Sequence, residues 1–414
     1  MKKKIRFGIF GSARGGSLIG SIYASGAEVV AICDRRADAI TSSKQCYPAC
    51  RDAAEYNNFD EFIKHDMDAV LLGNYFCEHA EYAIKVMRAG KHVISETLSN
   101  VTMAEGVALV RAKEETGMTY ALLENCPNFK ECLEMERVYK DGSLGGVVYA
   151  EGEYAHPMSE QEQNILAPGE AHWRNWTPRT YYTTHALAPL MQMTDSMPTR
   201  VSAMASFHPE IAKGTALRTG DAAAIILCHT DTNAVFRITG WAYLLPHGCS
   251  YRLCGTKGSM TVDRSTGQMR LCYHEWTRPE GMECNNLYDI KWQDAELGKI
   301  AEDAGHGGGD FFVIYNFVKD LEAGREPYWN VYRATAAASV AILSWRSILN
   351  GGMTYDIPDF RLEEDRRKYE LDNITPYPDD NLTVSIPCSS QPYAPSEEDL
   401  TNAKKCWKEA GFIS

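Results

Sequence analysis

The stretch from Ile5 to Asp34 constrains this chain more than any other. Ile5-Arg6-Phe7-Gly8-Ile9-Phe10 has the apolar run of a short buried strand. It leads into Gly11-Ser12-Ala13-Arg14-Gly15-Gly16 and then a helical pattern through Ile19, Ile22 and Tyr23. A second apolar strand, Val29-Val30-Ala31-Ile32, ends at Asp34, about 20 positions beyond the first glycine of the turn. Strand, glycine-rich turn, helix, strand and acid, in that order, predict a dinucleotide site. Glycines let the backbone approach a pyrophosphate, the helix N-terminus offers unpaired N–H groups to its charge, and the carboxylate takes ribose hydroxyls. Gly11, Ser12, Ala13, Arg14, Gly16 and Asp34 are therefore candidate cofactor contacts. Ala13 stands where the pattern usually has its second glycine, so the pyrophosphate is expected to ride slightly higher. Asp34 favours NAD, because a 2'-phosphate would meet its charge, while Arg35 and Arg36 leave NADP open.

With 414 residues, 44% of them hydrophobic, the chain has room for two domains and a large core. A net charge of -13 argues against nucleic acid or an acidic membrane surface as partner, since both need clustered Lys and Arg. No apolar run reaches the roughly 18 residues of a membrane span. Met1-Lys2-Lys3-Lys4 resembles the start of a signal segment, but the short apolar run after it reads better as the first strand. A cytoplasmic protein is expected. Its cysteines form no framework, and Cys33, Cys77, Cys126 and Cys228 sit in apolar runs where cysteine acts as a small hydrophobe. Cys46 and Cys50 lack a second pair at metal spacing, so no metal is expected.

Further along, the strand Ala69-Val70-Leu71-Leu72-Gly73 ends at Asn74, and parallel strands present their carboxyl ends to the ligand crevice. A helical run from His79 closes at Gly90 and precedes the strand Lys91-His92-Val93-Ile94-Ser95-Glu96. A helix from Met103 to Thr116 and the strand Thr119-Tyr120-Ala121-Leu122-Leu123 follow, with Glu124-Asn125 at that strand's end. Asn74, His79, Glu96 and Asn125 join the candidate cofactor residues. After a helix from about Phe129 to Tyr139, a strand runs to Tyr154, and the pattern changes. Alternating strands recur at 200–206, 222–229, 234–239, 250–254, 259–262 and 269–271, which predicts a second domain on an antiparallel sheet.

Two segments of this half are rich in chemistry. His172-Trp173-Arg174-Asn175-Trp176-Thr177-Pro178-Arg179 leads to Tyr181-Tyr182-Thr183-Thr184-His185. Tyr182 and His185 are three apart, so a helix opening at Thr184 or His185 puts both on one face. The plain reading is a core helix with a satisfied histidine. Trp173 and Trp176 suit the apolar face of a sugar or the core. Arg174, Arg179 and Arg218 suit either an anionic group or surface ion pairs. Gly305-His306-Gly307-Gly308-Gly309-Asp310 precedes a helix for which Asp310 is a good N-cap, while His306 suits a ligand. Beyond Pro358 the chain turns charged and then proline-rich, through Tyr377-Pro378-Asp379-Asp380, and reads as a tail over the surface with a final helix from Glu397.

Ala89-Gly90-Lys91-His92-Val93 and Glu96 resemble the Gfo/Idh/MocA oxidoreductase family, in which a Glu-Lys-Pro triplet follows the strand. Here the triplet is Glu96-Thr97-Leu98. The missing lysine, the Leu123-Glu124-Asn125 run, Tyr182-x-Thr184-His185 and His306-Gly307-Gly308-x-Asp310 are similar to the family's NAD-dependent glycosidase branch, glycoside hydrolase family 109. The resemblance spans about residues 5 to 360. It implies an α/β fold: an N-terminal Rossmann doubly wound parallel sheet at 1–126 and an α+β domain with a large, mainly antiparallel open sheet at 127–360. A surface tail at 361–414 completes the chain.

The resemblance implies a glycosidase with tightly bound, recycled NAD. A sugar's C3 hydroxyl is oxidised, the ketone acidifies the C2 hydrogen, its loss expels the C1 substituent, and water adds before the hydride returns. That route needs no flanking pair of carboxylates, and no strand-end pair proposes itself. His185 is the candidate base, Tyr182 serves the C2 proton or assists it, and Tyr154 is a reserve. Trp173 lies against cofactor or sugar; Glu96, Trp176, Arg179, His306 and Asp310 hold the sugar. The alternatives are a net NAD(P)-dependent sugar or cyclitol dehydrogenase, against which Thr97 counts, and a catalytically silent sensor. The partner is a small carbohydrate or glycoside, with no nucleic acid and no membrane, and the open sheet predicts a homo-oligomer.

Overall fold

The computed structural model describes residues 4–378 and 386–413; Met1, Lys2, Lys3, Asp379 and Asp380 lie outside the described residues. Six parallel strands make the first sheet: β1 (Arg6–Phe10), β2 (Glu28–Cys33), β3 (Ala54–Tyr56), β4 (Ala69–Leu72), β5 (His92–Glu96) and β6 (Tyr120–Leu123). Their order is β3-β2-β1-β4-β5-β6, so the winding reverses between β1 and β4 and opens a crevice at the carboxyl ends. Every residue of β4 and β6 is buried, as a sheet covered on both faces requires. On one face Phe7, Ile9, Leu71 and Ile94 pack with Ile19 and Ile22 and with Ile314, Phe317 and Val318. The last three belong to the helix Gly309–Ala323, which follows all but the last strand of the second sheet in sequence. The chain thus returns to the first domain and carries His306 and Asp310 with it.

The second sheet has nine strands: β7 (Val147–Ala155), β8 (Pro198–Phe207), β9 (Asp221–Thr230), β10 (Val235–Ala242), β11 (Gly248–Gly255), β12 (Gly258–Val262), β13 (Met269–Tyr273), β14 (Asn285–Tyr288) and β15 (Tyr355–Asp356). Their order is β14-β13-β12-β11-β7-β10-β9-β8-β15, antiparallel throughout except where β7 meets β10. The edge strands β14 and β15 escaped the sequence pattern because they are short and only half-buried, with no apolar alternation to mark them. The helices Thr184–Thr194 and Val331–Leu349 cover one face. On the other, Met204, Ile225, Leu227 and Val235 are exposed while their chain neighbours Ala203, Ile226, Cys228, Phe236 and Ile238 are buried.

The C-terminal segment is pinned by pairs made at a distance. Arg366 forks onto Glu114, and Arg346 onto Asp372 at 2.6 and 2.7 Å. Ser389 and Ser390 hold the Asp221 carboxylate, and the helix Glu397–Glu409 buries Trp407, whose indole N–H donates to the Asn164 carbonyl at 2.9 Å.

The central strand β7 approaches the helix Thr184–Thr194 so closely that a Cβ on Gly152 would lie 2.0 Å from the Ala186 carbonyl oxygen. Gly152→Ala must therefore push that helix away from the sheet. We expect a loss of about 1–3 kcal/mol, the usual cost of overpacking, read from denaturant unfolding, together with loss of activity because the helix carries His185.

Candidate active site

The carboxyl ends of the first sheet and the aromatic segment before Thr184 enclose a cavity of about 480 Å³. Its cofactor side begins at Gly11, whose φ of +88° a side chain would strain and where a Cβ would meet the Gly73 backbone at 2.4 Å. The turn is held by Asp34, whose Oδ2 accepts from the Ser12 N–H at 2.6 Å and its hydroxyl at 3.1 Å. Gly16 faces the Ser43 hydroxyl and serves close packing rather than ligand approach.

Arg14 turns from this loop across the crevice. It donates to Glu96 at 2.5 Å and grips both oxygens of Asp310 at 2.8 and 2.9 Å. Asp310, 2% exposed, also accepts from Asn125 at 2.9 Å and bonds His306 Nδ1 at 2.9 Å. Burial alone would raise its pKa, yet Arg14 and His306 hold the carboxyl well below its usual range. Asp310 does not cap its helix, as the sequence suggested: Gly308 occupies the cap, and the carboxylate is spent on Arg14, Asn125 and His306. Asp310 therefore sits beneath the cavity wall, positioning Arg14 and His306, both of which line the cavity.

The second centre joins the two halves of the chain. Glu124, at the end of β6 and 0% exposed, accepts from His185 Nδ1 at 2.8 Å and from the Cys126 N–H at 3.3 Å. His185 is the second residue of its helix, whose first turn is tied to β11 by the Tyr251 hydroxyl, 2.7 Å from the His185 carbonyl. Burial opposes a charge on the imidazole, but the Glu124 carboxylate outweighs it and pushes the pKa up to about 9. Glu124 itself is drawn below its ordinary value by the same partner, against its burial. With Nδ1 committed, Nε2 is the ring nitrogen left for a ligand. Thr97, at the position of the family's lysine, turns its hydroxyl to Thr184 Oγ1 at 2.7 Å.

Aromatic rings complete the wall. Tyr154 lies edge-on to His185 at 4.8 Å between centroids, and Tyr182 stacks on Tyr154 at 6.2 Å and near Phe76 at 5.5 Å. Trp173 stacks on Phe76 at 5.0 Å, and Arg174 lies 4.6 Å from the Trp173 ring centre. Burial raises the pKa of both Tyr154 and Tyr182, so each stays a neutral phenol.

The structure thus gathers Ala13, Arg14, Asn74, His79, Glu96, Asn125, Tyr154, Trp173, Tyr182, His185 and His306 around one cavity. His79 is a support there, with Nδ1 on the Leu98 carbonyl and Nε2 on that of Asn74. Two expected sugar contacts lie elsewhere. Arg179, 2% exposed, donates to the Asp221 carbonyl at 2.7 Å and stacks behind Trp241 and Tyr243. Trp176 turns its indole N–H to the Glu170 carbonyl and carries Arg218 on its ring. Both belong to the layer behind the wall, Trp176 at the far end of the Trp173–Trp176 turn and Arg179 at the start of the next turn, Arg179–Tyr182. Glu124 is the functional residue that sequence reasoning left without a role; its signal was a carboxylate at the end of an otherwise apolar parallel strand.

The model of the oxidoreductase family with an NAD-binding Rossmann fold matches residues 5–123, and that of the glycosyl hydrolase 109 C-terminal domain matches residues 129–364. A glycosyl hydrolase family 109 protein of Solibacter usitatus is 26% identical over 399 residues, covering 86% of this chain and 88% of the relative. One from Stenotrophomonas maltophilia is 25% identical over 415 residues, covering 86% and 89%. Among solved structures, a complex of levoglucosan dehydrogenase with NADH and levoglucosan superposes with a TM-score of 0.71 at 15% identity, over 86% of this chain and 100% of that one. An oxidoreductase from Agrobacterium radiobacter in complex with NAD+, L-tartaric acid and magnesium gives 0.70 at 15%, over 86% and 99%. These structures share the fold. With its Rossmann domain and the hydrolase domain that follows it, the chain is an enzyme of the Gfo/Idh/MocA oxidoreductase family and belongs to its glycosyl hydrolase 109 branch.

Proposed function

We propose that this enzyme is an NAD-dependent glycosidase that cleaves its substrate through transient oxidation at C3, loss of the C2 proton, elimination and addition of water, with the cofactor kept and recycled. One observation carries the reading: a buried histidine–glutamate pair faces the cavity where the family's lysine is replaced by a threonine bonded to Thr184. The crevice fits the cofactor. Gly11 and Gly73 approach with no room for a side chain, and Asn74, on the cavity, has a buried side-chain amide oxygen, Oδ1, without a partner among the described residues. Bound there, NAD would supply the acceptor and donor of hydride at C3.

The chain's own part is to hold the sugar and move protons. His185 Nε2 takes the C3 hydroxyl proton once the ring has lost the proton that Glu124 helps it keep. Because burial keeps Tyr182 and Tyr154 as phenols, we assign the C2 proton to His185 as well, after its Nε2 has released the C3 hydroxyl proton to water in the cavity. The two tyrosines then donate hydrogen bonds to the sugar, Tyr182 nearest the base. Glu96 and His306, fixed through Arg14 and Asp310, orient sugar hydroxyls, and Trp173 offers its face to a ring. The net dehydrogenase remains the alternative. We place the protein in the cytoplasm, where its free cysteines stay reduced; no helix among the described residues is long and apolar enough to cross a membrane.

We also read the bare face of the second sheet as the contact with a second copy. Met204 pairs across the strands with Ile225, and Leu227 with Arg237, which reaches Glu151 at 3.1 Å; Arg252 lies on the other side of that carboxylate. A patch with an apolar centre and both signs of charge is complementary to itself about a twofold axis.

Incubating the purified protein, without added cofactor, with nitrophenyl glycosides in heavy water should release phenol and a sugar deuterated at C2. Steady NADH from free sugars with added NAD, and no cleavage, would instead establish the dehydrogenase.

The pH dependence follows from the raised imidazole pKa. Activity of the free enzyme should climb as pH rises toward about 9 and His185 loses its proton. Glu124→Gln removes the charge that raises this pKa, so the climb in kcat/KM should move down by about 1–3 pH units. An unmoved limb would assign it to another group.

Leu227→Arg should convert the oligomer to monomers in light scattering, since it sets like charges face to face across the axis; an unchanged mass would place the contact elsewhere.

A further inference from the structure

Among the described residues, Glu124, Cys126 and His185 form the one group of three metal-ligating side chains whose donor atoms all lie within 4.8 Å of one another. They offer a carboxylate, a thiol and an imidazole, the donors that zinc takes in tetrahedral sites. An ion about 2.0–2.3 Å from each donor holds them about 3.3–3.8 Å apart, so the separations present need only small side-chain adjustments. A second observation points the same way. The other carboxylate oxygen of Glu124, Oε2, is buried and has no hydrogen-bond partner among the described residues. Such an acceptor is costly to bury, and a cation would compensate it. Cys126 and His185 line the cavity, which gives an ion its way in, and Cys249 of β11 lines it as well. None of this was visible in the spacing of the cysteines, because Cys126 and Cys249 are far apart in the chain.

We propose that Glu124, Cys126 and His185 form a binding site for a divalent cation of the zinc class, and that its occupation turns the enzyme off. Binding replaces the Cys126 S–H and the His185 Nδ1–H protons, both of which leave to solvent, by a metal–sulfur and a metal–nitrogen bond; nothing is oxidised or reduced. The ion also takes His185 Nδ1 and the Glu124 carboxylate, so their hydrogen bond is broken and the imidazole is no longer set for proton transfer. The inhibitory half rests on His185 being the base; the binding half does not.

The test uses Co2+ as the probe, titrated into the full-length protein as purified, with Zn2+ in competition. We expect one Co2+ per chain with a sulfur-to-cobalt charge-transfer band in the near ultraviolet, displaced by Zn2+. Cys126→Ser should abolish the band and weaken Zn2+ binding by at least the roughly 10- to 100-fold that loss of an outer-shell partner costs. Glu124→Gln should keep the band but weaken binding comparably, which covers the case in which the cysteine variant folds poorly. Cys406→Ser, far from the cavity, should change neither. No band in the wild type, or a band that survives Cys126→Ser, overturns the site. Glycoside cleavage should fall with Zn2+ occupancy and return on chelation. Stoichiometric binding through Cys126 with cleavage unimpaired would keep the site and reject His185 as the base.

Discussion

The two-point grip of Arg14 on Asp310 is the contact on which the arrangement of the active site depends. Arg14 belongs to the turn after the first strand, and Asp310 to a helix that follows all but the last strand of the second sheet. Burying an ion pair is costly unless every remaining donor and acceptor is satisfied. Here Asn125 and His306 take the other positions on the carboxylate, Glu96 accepts the guanidinium Nε–H, and the Ser17 hydroxyl accepts a further N–H. The pair so completed locks the fingerprint turn, the ends of β5 and β6, and the His306 loop into one unit. Removing Asp310 would leave Arg14 with Glu96, and removing Arg14 would leave the buried carboxylate of Asp310 with His306 and Asn125.

The proton chemistry is separated from this lock by the character of its groups. Arg14 and Asp310 hold each other ionised, so neither is suited to exchange a proton with a ligand. His185 is tuned differently. One carboxylate raises its pKa and fixes its ring, while the edge of Tyr154 and the nearby Tyr182 ring exclude water without adding charge. Thr97 adds none either, because its hydroxyl is bonded to Thr184. Around His185 the wall is thus aromatic and hydroxylic on the side of Tyr154, Tyr182 and Thr97, while the charged groups Arg14, Glu96 and Arg174 line other parts of the cavity.

Behind that wall lies a layer that neither cofactor nor substrate need touch. Arg179, Trp176 and Arg218 brace the aromatic segment from the rear, and the C-terminal segment braces them in turn: Tyr377 meets Thr177 at 3.2 Å, and Cys388 donates to the Arg218 carbonyl at 2.9 Å. Side chains set to hold a geometry need rotamers locked by their own neighbours, and this layer supplies them.

How much of this was legible differs by range. The dinucleotide fingerprint, the parallel strands and the alternating strands of the second half could be read directly, because a tight turn or an amphipathic face makes demands on residues adjacent in the chain. Gly11 could be read for that reason, whereas Tyr182 and His185 read locally as a core helix and became candidates through the family resemblance. The pairing of Glu124 with His185 across 61 positions, and of Arg14 with Asp310 across 296, was not, nor was the withdrawal of Arg179 behind Trp241. The sequence by itself determined the class of fold and the kinds of side chain brought to the crevice. Only the tertiary structure decided which of them touch, because proton affinity and ion pairing depend on distances in space, and those depend on how the two sheets and the returning helix pack together.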